Sequence, residues 1–152
     1  MARIPTSMAK ALKPISEEFV KRQVIKFLTN KGWSRNLDFR DKHERGIDIK
    51  VTNSRYSRVF LIEAKGASTG RSGFENAFIH SLGQLVTRMG NPDARYYYGL
   101  ALPQGSADIA LRRIPYKFAL KMCLQILAVR EDGEVKWYKP VDIKRCQKGS
   151  TG

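Results

Sequence analysis

Apolar residues first recur at helical spacing in "SEEFVKRQVIKFLTNKGW", where Val20, Val24, Phe27 and Leu28 form one stripe. Ser16 is placed to cap this helix, Glu17 and Glu18 sit in its first turn, and Gly32 ends it. Glu17 falls on the apolar stripe, whereas Glu18 turns towards solvent. Further along the period changes to two. "WSRNLDFR" is a weak strand and "DKHERG" a polar turn. "GIDIKV" alternates, with Ile47, Ile49 and Val51 on one face and Asp48 and Lys50 on the other. In "VFLIEAK", Phe60, Ile62 and Ala64 share one face, and Val59, Leu61, Glu63 and Lys65 the other. The two runs pair as a hairpin.

After the Gly/Ser-rich "GASTGRSG", helical spacing returns over roughly 73–90, with Phe74, Phe78, Leu82, Leu85 and Met89 along one side. Gln84 lies at the edge of that stripe, beside Ala77 and Ser81. "NPDA" breaks the chain and "RYYYGLALP" reads as a buried strand. A helical stretch over about 106–121 is interrupted near Pro115. "CLQILAVR" and "VKWYKP" form a terminal hairpin turning at Asp132-Gly133. Helix, three strands, helix and strand, then a C-terminal helix and hairpin, predict an α/β (α+β) domain with a mixed central sheet flanked by helices. Residues 15–145 form the single domain, 1–14 a flexible basic arm and 146–152 a flexible basic tail.

The 152 residues, 42% of them hydrophobic, suffice for one domain with a core. No apolar run is long enough for a membrane span, and the N-terminal stretch lacks a signal peptide's apolar centre. A cytoplasmic protein without membrane contact is expected. Cys123 lies in an apolar stretch and is expected buried, and Cys146 lies in the basic tail. With His43 and His80 they do not make zinc-site spacing. Charge changes the picture most: 28 Lys and Arg face 14 Asp and Glu, a formal net charge of +14. Such an excess favours a polyanionic partner, with nucleic acid the commonest.

Against that background, two carboxylates and a lysine inside apolar strands stand out. Asp48 and Glu63 come from adjacent strands, and Glu63 and Lys65 leave the same face. Converging carboxylates repel unless a cation lies between them. Oxygen ligands with open positions suit Mg²⁺ or Mn²⁺, and a neighbouring lysine can hold water or offset charge on a phosphate. The plain alternative is a solvated surface hairpin, since Glu-x-Lys is a common pattern. Gly46 before the aspartate, apolar residues around each charge and the loop after Gly66 weigh against it.

"GID" followed by "IEAK" in consecutive strands resembles the PD-(D/E)XK, or restriction-endonuclease-like, nuclease superfamily. The resemblance spans roughly 16–103, and "FENAFIHSLGQL" with "YYYGLALP" is most similar to small prokaryotic excision-controlling-factor, junction-resolvase and Mrr-like members. It implies a restriction-endonuclease-like core and a Mg²⁺-dependent deoxyribonuclease. Asp48, Glu63 and the Ala64 carbonyl would hold the metal, and Lys65 would position water. Gln84 would complete the site. Glu17 would serve as the acidic residue of the first helix, with Glu18 as the alternative. In many members that acidic residue lies a turn later, where this chain has Lys21. Some members have lost activity, but the three core residues are present here.

No recognition domain accompanies the motif, which favours a structure-selective or partner-directed nuclease over a sequence-specific one. A homodimer would let two sites cut two strands, and a protein partner would supply specificity. Arg71, Arg88, Arg112, Arg113 and His43 are candidate phosphate contacts. Tyr96, Tyr97 and Tyr98 suggest base stacking or core packing, and Trp33 and Trp137 packing. Two other functions remain open: a DNA-binding module without turnover on the same fold, and a basic RNA-binding protein.

Overall fold

A computed structural model describes residues 14–35, 47–68, 70–90 and 95–151. The expected basic arm up to residue 13, Gly46 and His43 lie outside them. The elements run α1 (Glu17–Asn30), β1 (Ser34–Arg35), β2 (Ile49–Asn53), β3 (Arg58–Ala64), α2 (Arg71–Thr87), β4 (Tyr96–Pro103), α3 (Gln104–Arg113), α4 (Tyr116–Met122), β5 (Leu124–Val129), β6 (Val135–Tyr138) and α5 (Pro140–Thr151). The strands form one mixed sheet in the order β1-β2-β3-β4-β5-β6. β3, β4 and β5 are parallel, and β1–β2, β2–β3 and β5–β6 are antiparallel. The parallel pairs need crossovers, supplied by α2 and by α3 with α4. The predicted α/β (α+β) class with its mixed sheet is the observed one.

Each face of the sheet carries its own core. Val20, Val24 and Leu28 of α1 pack with Ile49, Val51, Phe60, Ile62 and Ala64 on one face. Leu61, Phe78, Leu85, Leu100, Ala110 and Ile143 pack on the other. Because helices cover both faces, β3 is buried along most of its length, so any charge it carries is withdrawn from water. Ser16 caps α1, its side chain accepting from the Phe19 N–H at 3.1 Å. The β2–β3 turn is tied by the Asn53 carboxamide, which accepts the Arg55 N–H at 3.1 Å.

Three expectations need correction. The segment expected as a flexible tail from 146 continues α5. Asp142 caps that helix by accepting the Lys139 N–H at 3.0 Å, Ile143 is buried in the core, and the Gln147 side chain donates to the Leu111 and Ile114 carbonyls. Cys123 is only half-buried, in a left-handed conformation that ends α4, and both cysteines are free thiols. Ile47 precedes β2 and packs on the face opposite Ile49 and Val51.

Candidate functional site

The site forms where β2 and β3 meet the start of α1 and the end of α2. In the antiparallel register Ile49 faces Ile62, which puts Asp48 across from Glu63 just as β2 begins. The Asp48 side chain takes over where the ladder ends, its Oδ2 accepting the Ala64 N–H at 2.8 Å. Asp48 and Glu63 thus converge, as expected from their strands. Glu63 is 2% exposed, and its Oε1 has no hydrogen-bond partner among the described residues. Burial pushes its carboxyl up to about 8, and hydrogen bonding and repulsion from Asp48 push the same way. Arg88 opposes this, and Glu17 adds a smaller push upward.

Two cations compensate the carboxylates. Lys21 Nζ lies 3.1 Å from Glu17 Oε2 and 3.5 Å from Asp48 Oδ1. Burial alone would lower the Lys21 ammonium, but the two carboxylates outweigh it and hold its pKa above the usual lysine value. Arg88 Nε stands 3.6 Å from Glu63 Oε1, an ion pair too long for a hydrogen bond, and Nε itself is buried without one. Glu63 therefore presents an oxygen that is charge-compensated yet unbonded, an arrangement that costs free energy unless a ligand completes it.

Of the two first-turn acids, Glu17 turns in and Glu18 is exposed. Lys65 follows β3, half-buried, with its N–H bonded to the Ala101 carbonyl at 3.1 Å. Gln84 is exposed and forms no side-chain hydrogen bond with Lys65; the residue that reaches Glu63 is Arg88, one turn later and just past the end of α2. Arg88 is thereby placed in the site instead of on an open phosphate-binding surface. Lys21 stands where many members of the nuclease superfamily that the sequence resembles carry an acid. Its spacing of four from Glu17 was the available signal. Nothing local announced the pairing of Arg88 with Glu63. Arg71, Arg112 and Arg113 are exposed, and Arg113 pairs with Glu75 at 3.3 Å.

Gly66 lets these parts close together. A Cβ there would collide with the Ile15 carbonyl oxygen, the Ser16 carbonyl carbon and the Glu17 nitrogen, all backbone atoms. The bridge between Ile15 and Ala67 fixes the same junction, with hydrogen bonds of 3.1 and 2.9 Å. Gly66→Ala should lower stability by about 1–3 kcal/mol through forced backbone displacement. The urea midpoint checks this; an unchanged midpoint would mean the junction yields freely.

Among the described residues, no three His, Cys, Asp or Glu side chains gather around one point. Two carboxylates with an unbonded buried oxygen nonetheless fit a hard divalent ion, since Mg²⁺ uses one or two carboxylates and keeps several waters. No described helix is long and apolar enough to cross a membrane. No family model matches the chain, and no match was found among curated proteins or solved structures.

Proposed function

We propose that this chain is a divalent-metal-dependent deoxyribonuclease of the PD-(D/E)XK type, structure-selective or partner-directed in its choice of DNA. The observation that carries the reading is the convergence of Asp48 and Glu63, with Glu63 buried and its Oε1 unbonded. Asp48, Glu63 and the Ala64 carbonyl would hold Mg²⁺ or Mn²⁺, with Glu17 directed to a second ion or its water shell. The ion would supply an acidified water and a polarised phosphoryl oxygen. Lys65, on the Glu63 face of the strand, would orient the attacking water and offset charge on the phosphate. Lys21 holds Glu17 and Asp48 in place, and Arg88 balances Glu63. The net charge of +14 supports a phosphate-backbone substrate. Two free thiols accord with a reducing, cytoplasmic setting.

One observation favours a second reading. Lys21 and Arg88 already compensate the carboxylates, which suits a DNA-binding module without turnover. A Mn²⁺-supplemented cleavage assay over linear, nicked, branched and junction DNA decides between them. Cleavage of any of these is expected, and its absence with DNA binding intact would favour the module. Asp48→Asn should weaken the metal's affinity as well as the rate, with partial recovery at high Mn²⁺. An unchanged metal dependence in that variant would remove Asp48 from the site.

A further inference from the structure

The gap between Glu17 and Asp48 is filled by a cation that belongs to the chain. Lys21 Nζ stands 3.1 Å from Glu17 Oε2 and 3.5 Å from Asp48 Oδ1, so one ammonium bridges a carboxylate of α1 and one just before β2. Several features hold it there. Glu17 and Lys21 lie four apart on α1, with the acid nearer the N-terminus, the favourable order for such a pair. Val20 and Val24, which flank Lys21, are fully buried and fix α1 against the sheet. The Lys21 side chain is 25% exposed, so its charge is screened less than on an open surface. Asp48 has its other oxygen, Oδ2, on the Ala64 N–H at 2.8 Å, which fixes the orientation in which its carboxylate meets Lys21.

We infer that Lys21 is a built-in substitute for a second metal ion, and that the site carries a single divalent ion per chain. An ion bridging Glu17 and Asp48 would have to sit about 2.0–2.6 Å from oxygens of the two carboxylates that Nζ already faces. A divalent charge and an ammonium a few ångströms apart repel strongly where both are partly withdrawn from water. Such an ion would therefore have to expel Lys21 from two carboxylates at once. In sites with two ions, both cations stabilise charge on the reacting oxygens. A fixed ammonium brings positive charge to the same carboxylates without any metal having to bind. Glu63 is the opposite case. Its Oε1 is unbonded among the described residues, and Arg88 Nε, at 3.6 Å, is too far for a hydrogen bond, so an ion can enter there without breaking one. Glu17 is then left with the waters of that single ion and has no ion of its own. The inference rests on the proposed metal-dependent function, and its test counts ions instead of cleavage.

The test is titration of the metal-free protein with Mn²⁺ at fixed salt, with tightly bound ions counted by calorimetry and by electron paramagnetic resonance. Wild type should take up about one Mn²⁺ per chain. Lys21→Met, which keeps the length of the side chain and loses its charge, should take up about one more, and Lys21→Gln the same, each verified as folded by circular dichroism. Lys21→Arg, which keeps the charge, should match wild type. Adding Glu17→Gln to Lys21→Met should remove the extra ion, which places it at Glu17. A merely structural role for Lys21 would lower the stability of the variants and leave the count alone. Two ions in wild type, or a gain in neither neutral variant, would overturn the inference. So would an extra ion in Lys21→Arg, or one that survives Glu17→Gln. No ion in wild type would remove the metal-dependent reading itself and the inference with it, whereas one ion in wild type and in both neutral variants removes the inference alone.

Discussion

Lys65→Ala is expected to bind duplex DNA nearly as well as wild type and to lose Mn²⁺-supported cleavage by about 10²–10³-fold. Lys65 is one of 28 basic residues, so its removal changes the general attraction to phosphate little. Its backbone is held to β4 by the Ala101 carbonyl, and its side chain is half-buried beyond the strand end, so truncation leaves the sheet intact. Among the described residues no hydrogen bond or ion pair occupies its ammonium, whereas Lys21 is committed to Glu17 and Asp48. Lys21 therefore does not replace it. Binding and cleavage measured side by side decide the matter. If wild type cleaves and Lys65→Ala cleaves equally well, the chemistry lies elsewhere on the chain.

The metal-free protein is expected to lose stability as the pH rises from about 5 to about 8. Glu63 has a folded-state pKa of about 8 against an ordinary 4.5. Between these values the folded state binds more protons than the unfolded one, so unfolding free energy falls with increasing pH. The contribution is fully present below the ordinary value and is lost as the pH passes through the folded one. Its upper size is roughly 5 kcal/mol, shared with Asp48 and Arg88 as interacting neighbours. Glu63→Gln keeps the shape without the titration and should flatten the profile. Mn²⁺ should raise the melting temperature of wild type more at pH 8 than at pH 5.5, because a cation binds the ionised carboxyl, and should leave Glu63→Gln nearly unchanged. Thermal melts across pH, with and without Mn²⁺, provide the check. Equal stabilisation of both proteins by Mn²⁺ would place the ion away from Glu63.

The periodicity of the chain alone determined the order of elements up to β6, the β2–β3 hairpin, the break near Pro115 and the terminal hairpin, because each depends on residues within a few positions of one another. It also determined that Glu63 shares a face with Leu61, since a strand period of two fixes alternate side chains on one face, and it set Glu17 on the apolar stripe of α1, with Glu18 kept as the alternative acid. Tertiary structure decided the rest. α5 carries few apolar residues and looked like a basic tail. Its Ile143 is buried, and its Gln147 is bonded, only because α3 and α4 end beside it. Gln84 in α2 and Arg88 just past its end are one turn apart, yet only the longer side chain meets Glu63, across 25 residues of sequence. Trp33, Tyr97 and Trp137, from three distant segments, form one ring cluster, with Trp33 centred 6.3 Å from Tyr97 and 6.4 Å from Trp137. Which cation reaches a buried carboxylate, and which rings meet, depends on how distant segments pack, and no local period encodes that distance.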